Sequence, residues 1–246
     1  MSEPMAAAPA PAPEQAGLFE DFIDIFIAPA KVFARRVAAN SVVPWLIVSV
    51  LLGGLFFASK NVMEPVFEQE IGRQLQIQAK ANPALAAPEA QEKARAVMKV
   101  TFVWSSILGA PILLLLLALL VWAVGKAFGA TLTYNSSLMV TSYAWVPRVL
   151  ASVLTMVQLQ VMDANKISGM AGLSFGPARF LDADSTSMGL LQLAMRCDVF
   201  VLWTTVLIGV GFYAAGKLSK EKSAMAAAVL FVLGCLPAVW ALIKGT

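Results

Sequence analysis

The sequence predicts an all-α fold: a polytopic helical membrane protein with five transmembrane helices and amphipathic interfacial helices. Three observations predict it. Hydrophobic residues make up 59% of the chain and charged residues only 13%, well outside the balance of soluble domains. Residues 101–124 carry no charge at all. At about 1.5 Å per residue, roughly 20 apolar residues in a helix cross a hydrocarbon core about 30 Å thick, so this stretch is long enough to span. Further apolar stretches of similar length recur at 42–59, 137–162, 198–216 and 224–243.

Residues 1–17, MSEPMAAAPAPAPEQAG, are rich in Ala and Pro and have no apolar core behind a basic start. A disordered tail is expected, not a secretory signal. Across 18–40 the pattern changes. Leu18, Phe22, Ile25, Phe26, Val32, Phe33 and Val37 recur at helical spacing around Pro29, with Asp21, Asp24, Arg35 and Arg36 elsewhere on the wheel. Two short amphipathic helices joined at Ala28-Pro29 and lying in the membrane interface fit this pattern.

The five-span domain is expected over 41–246. The first span has Trp45 near one end and Gly53-Gly54 available for close helix approach. Met63, Val66, Phe67, Ile71 and Leu75 then keep a helical period, with Pro65 as a first-turn proline of a separate amphipathic helix. A turn at 82–88 follows, and Glu89 with Lys93 supports a helix running straight into the second span. Pro111 lies inside that span, which a membrane tolerates when neighbours satisfy the freed carbonyl. The third span has Pro147-Arg148 near its middle. A Gly/Ser/Asp loop over 163–188 leads to the fourth span, which 189–197 extends outward, and GKLSKEKS turns the chain into the fifth.

An odd number of spans places the termini on opposite sides. Lys31, Arg35, Arg36, Lys126, Lys217, Lys220 and Lys222 sit in compact segments on one side, and the opposite side holds Lys60, Lys93, Arg95 and Lys99 in a longer acidic loop. Reading the compact basic segments as cytoplasmic puts the N-terminus inside.

Several segments resemble the Yip family of Ypt/Rab-GTPase-interacting membrane proteins, and its bacterial members in particular. They are DIFIAPAKVF at 24–33, GATLTY at 129–134 leading to SYAWVP at 142–147, and DVFVLWTTVLIGVGFYAAGKLSKEKSA at 198–224. Their order, together with a long loop after the first of five spans, carries the resemblance over about 19–242. The resemblance implies a cytosolic N-terminus and, from the eukaryotic members, a membrane adaptor role. The Ala/Pro tail offers no acidic or aromatic motif for a GTPase to grip, so a Rab-type partner is not expected.

Among single residues Arg148 stands out. A charge near the bilayer centre costs about 2.5–3.5 kcal/mol on insertion scales and faces a partner or an aqueous cavity. Pro147, Arg148 and Asp198 are therefore the candidate functional or partner contacts, with snorkelling of Arg148 to the interface as the alternative. Gly125 with Gly129, and Gly211 with Ala215, have the small-xxx-small spacing of close helix packing, within one chain or between copies. GLSFG at 172–176 matches the G-x-S-x-G pattern of serine hydrolases, but no strand precedes it and the chain contains no histidine. Asp182 and Asp184 are too few oxygens for a calcium site.

Catalytic residues, cofactors and metals are not expected: Cys197 and Cys235 have no paired spacing, and no Walker loop or dinucleotide fingerprint occurs. A net charge of +3 spread along the chain excludes a nucleic-acid reader. The leading expectation is a non-enzymatic adaptor or scaffold in the lipid bilayer that binds another membrane protein or itself. The alternative is a small permease-like or lipid-handling protein using Arg148 as an intramembrane anion contact. An intramembrane enzyme built on Ser174 ranks last.

Overall fold

The computed structural model describes residues 17–162, 167 and 169–244, and all regular structure among them is helical. The tail expected over 1–17 falls, apart from Gly17, outside the described residues. Nine α-helices follow in order among the described residues: α1 (Leu18–Ile27), α2 (Pro29–Arg36), α3 (Val42–Ala81), α4 (Pro88–Ala127), α5 (Tyr134–Ala144), α6 (Val146–Val161), α7 (Met188–Arg196), α8 (Val199–Ala214) and α9 (Lys220–Lys244).

Four described helices are long and apolar enough to cross a membrane: Val42–Lys80, Ile107–Ala127, Tyr134–Val161 and Lys220–Lys244. The count rises to five if α7 and α8, bent by 53° at their junction, form one broken span. Geometry favours counting the pair together. The 16 residues of α8 reach only about 24 Å, short of a hydrocarbon core of about 30 Å. Counted with it, α7 would supply the remaining length; it packs along the C-terminal part of α9, where a Cβ on Gly189 would lie 2.6 Å from the Leu242 backbone nitrogen and 2.8 Å from the Ala238 carbonyl oxygen.

The long helices differ from expectation at one boundary. The first span and the amphipathic segment after it form a single 40-residue helix that runs through Pro65. α4 is its antiparallel partner, also of 40 residues and running through Pro111. Each is about 60 Å long, roughly twice the hydrocarbon thickness, so about half of the pair extends beyond the spans as a helical hairpin closed by a 3-10 turn at Pro83–Ala86. Phe67 and Phe102 meet across it with ring centroids 4.3 Å apart. Glu68 accepts from Arg95 at 2.6 Å and also pairs with Lys99. The loop before α7 leans on the same hairpin, where Arg73 donates to the Ala183 carbonyl at 3.2 Å and Gly169 N to Gln69 Oε1 at 3.1 Å.

Within the membrane, α5 is the central helix. Residues 136–144 are all buried, and its start is fixed by a capping box between Thr133 and Ser136. Asn135 ties it to the chain entering α3, accepting from Ser41 Oγ at 2.7 Å and donating to the Ala39 carbonyl at 3.0 Å. The core around it is apolar and includes Leu114, Val121, Val140, Leu207 and Phe212. Outward, a belt of large apolar side chains is exposed, among them Val50, Leu116, Val206 and Val232, as expected where lipid is the solvent.

Candidate functional site

The first polar constellation lies at the N-terminal end. Pro29 starts α2 immediately after α1 ends, folding the two amphipathic helices back on each other. α1 buries Ile25 in the core but also turns apolar residues outward and a carboxylate inward. Its apolar residues Phe19, Ile23 and Ile27 are 80%, 51% and 77% exposed, whereas Asp21 is fully buried. Asp21 Oδ1 accepts from Arg35 Nε at 2.6 Å, and Oδ2 accepts from Arg36 Nε at 2.5 Å and from the Tyr143 hydroxyl at 3.0 Å. Asp24 takes a further bond from Arg35 Nη2 at 2.8 Å. Burial works against the Arg35 charge, but its hydrogen bonds with Asp21 and Asp24 and their charges outweigh this and hold its pKa above the ordinary arginine value. The cluster is a charge-assisted lock between the hairpin and α5.

The second constellation surrounds Arg148. The span α5–α6 is interrupted at Trp145, two residues before Pro147, and Pro147 sits buried in the first turn of α6. A cavity of about 360 Å³ opens beside that turn. Its walls come from α3 (Leu52 to Met63), α6 (Arg148 to Met156), residues 170–175 and the α7–α8 junction. Arg148 lines it, with its Nε buried and without a hydrogen-bond partner. The guanidinium lies 5.6 Å from the Trp145 ring centroid, within cation–π range.

Asp198 lines the same cavity, and its charge reaches Arg148 through space, yet no ion pair joins the two among the described residues. Its carboxylate serves the backbone instead. Oδ1 accepts from Phe200 N at 2.9 Å, capping α8, while Oδ2 accepts from Phe175 N at 2.7 Å and Ser174 Oγ at 3.0 Å. GLSFG is thus a staple that pins the loop to the start of α8. A Cβ on Gly176 would lie 2.8 Å from Asp198 Cα, so only glycine allows this approach. Ser174 has a carboxylate neighbour but no imidazole to take its proton. Among the described residues no group of three His, Cys, Asp or Glu side chains is placed to hold a metal ion. Asp182 closes its own turn by accepting from Asp184 N at 3.1 Å and Ser185 Oγ at 2.8 Å. The Asp184 backbone bond and then the Ser185 bond hold its carboxyl below the usual carboxylate range.

The small residues sit at helix crossings and turns within the chain. A Cβ on Gly211 would lie 2.3 Å from Val140 Cγ1, marking the contact of α8 with α5, and one on Gly125 would lie 2.9 Å from the Phe212 ring. Ala215 is buried at the end of α8. Gly129 follows the end of α4 with φ +87° and open space around it, the left-handed position of a helix C-terminus.

Residues 23–242 match the model of the Yip1 domain. The chain belongs to the Yip1 family. No curated protein and no solved structure matches it. In this Yip1-family chain, the polar contacts that sequence reasoning missed are those of Asp21, Tyr143 and Ser174. The Asp21 lock had a legible signal, two acids at 21 and 24 and two arginines at 35 and 36 across a proline turn. The Tyr143 partner, 122 residues away, had none. The family match supports a membrane protein with the Yip1 architecture; the fold alone does not assign an activity.

Proposed function

We propose that this Yip1-family protein is a non-enzymatic membrane adaptor, seated in a bacterial cytoplasmic membrane with its N-terminus in the cytoplasm and its C-terminus on the opposite side. The observation that carries the reading is the α3–α4 hairpin. It projects about 30 Å beyond the bilayer, is braced by Glu68, Arg95 and Lys99 and by the loop before α7, and presents an exposed polar face including Gln76, Gln91 and Glu92. A braced rod of this kind is suited to holding another membrane protein or a second copy of the chain. The absence of histidine and the structural use of Ser174 and Asp198 support a role without chemistry.

The test places a photo-crosslinking amino acid at Gln76 or Gln91 of the full-length protein in its own cells, followed by mild-detergent purification. One protein of stoichiometric yield captured from the hairpin, and not from a matching position on the lipid-exposed face such as Val232, is the expected result. Capture of nothing beyond lipid at both hairpin positions would overturn the adaptor reading.

A further inference from the structure

We propose that the cavity beside Arg148 is a binding site for a phosphate-bearing amphiphile, with the phosphate at the Arg148 guanidinium and the apolar part against α3 and α6. The proposal takes the lipid-handling expectation to a specific ligand chemistry and does not depend on the adaptor reading.

The lining leaves one guanidinium unanswered. Among the described residues that line the cavity, Arg148 is the one cation and Asp198 the one carboxylate. Asp198 is engaged by Ser174, Phe175 and Phe200. Arg148 therefore has no ion-pair partner among the described residues, and Arg196 lies outside the lining, against Gly234 of α9. The Arg148 Nε–H is a buried donor without an acceptor, a state that proteins avoid unless a ligand or water completes it. A guanidinium fork matches the oxygens of a phosphate.

The cavity walls describe the rest of the ligand. Arg148, Ser152 and Thr155 all line the cavity at i, i+4 and i+7, a polar stripe down one face of α6. Ser152 donates to the Arg148 carbonyl at 3.0 Å, whereas the Thr155 hydroxyl has no partner among the described residues and is available to a phosphate oxygen. The apolar lining includes Leu52, Phe56 and four methionines, 63, 156, 170 and 195, the last four being side chains that adapt to an irregular apolar guest. On α3 the lining runs from Leu52 to Met63, past Lys60, where the apolar part of the helix ends. The cavity thus extends from Arg148 toward the interface, the side from which a bilayer headgroup would enter. Inorganic phosphate shares the head chemistry and is the other possible source.

The test uses the purified full-length protein in a neutral detergent, with native mass spectrometry and thermal unfolding as readouts. The probes are dioctanoyl phosphatidic acid, dioctanoylglycerol and inorganic phosphate. Phosphatidic acid is expected to bind one per chain and raise the unfolding temperature. Arg148→Gln should weaken that binding about tenfold or more, since it removes a charge-assisted bond. Two milder changes guard against loss of fold: Thr155→Val removes only the free hydroxyl and Ala151→Leu narrows the cavity, and both should weaken binding several-fold. Dioctanoylglycerol binding as tightly as phosphatidic acid overturns the proposal. So does binding within twofold of wild type in the folded Thr155→Val and Ala151→Leu proteins. Inorganic phosphate binding as tightly as phosphatidic acid, and lost in Arg148→Gln, overturns the amphiphile and assigns the site to a soluble anion.

Discussion

Asp21 is the residue on which the N-terminal hairpin turns. Its carboxylate is fully buried and answers two arginines that are each about a quarter exposed. Breaking a fully buried pair costs about 3–5 kcal/mol; with the arginine ends partly solvated, Asp21→Asn is expected to cost about 2 kcal/mol. Tyr143→Phe, which removes one hydroxyl bond, should cost about 1 kcal/mol. Thermal unfolding in detergent measures both, and limited trypsin digestion should cut Asp21→Asn faster at Arg35 and Arg36. Residue identity made Arg148 legible from sequence, because a cation inside an apolar span is conspicuous wherever it lies. Asp21 was not legible as a buried group. Its burial arises from α5, and the wheel of α1 by itself cannot distinguish a carboxylate facing water from one facing a tyrosine on another helix.

Among elements, the glycines divide by what faces them. Gly211 and Gly125 meet Val140 and Phe212 at distances that leave no room for a methyl group. Gly54 faces open space in α3. Gly211→Ala should therefore destabilise the bundle by about 1–3 kcal/mol, while Gly54→Ala should be neutral or stabilising by up to about 1 kcal/mol. Paired thermal melts separate the two, and equal losses would contradict the crossing of α8 over α5. Helix existence was legible throughout, down to the proline turn between α1 and α2, because period and punctuation are local signals. Helix ends were less so. Pro65 suggested a new start, but a proline costs a helix one donor and a clash, and here α3 continues through it, paired along its length with α4. The bend at Arg196–Val199 was equally hidden, since it depends on Asp198 meeting the loop at Phe175.

For the whole molecule, the bent α7–α8 pair decides the topology. Counted as one span, it places Gln91 on the hairpin and Lys217 in the last turn on opposite sides of the membrane. Single cysteines at these positions, in a background with Cys197 and Cys235 replaced, should react differently with a membrane-impermeant maleimide applied from outside: labelling at Gln91 and protection at Lys217. Labelling of both from one side would mean that α7–α8 enters and leaves by the same face. The Yip1 fold itself was readable from ordered segments along the chain, whereas the cavity at Arg148 was not, because its walls come from four places that are far apart in sequence.

The hydrogen bond from Tyr143 to Asp21 also has a consequence in time. Ribosomes emit a chain N-terminus first at about 5–20 residues per second, so the tyrosine that completes the lock emerges roughly 6–25 s after the aspartate. α2 rests on α8 as well, which is made later still. During that interval α1 and α2 have only each other and the lipid surface, and the exposed Phe19, Ile23 and Ile27 suit α1 to wait there. This early hairpin is thus seated only after α8 has been made, and its docking would report that α5 and α8 are in place.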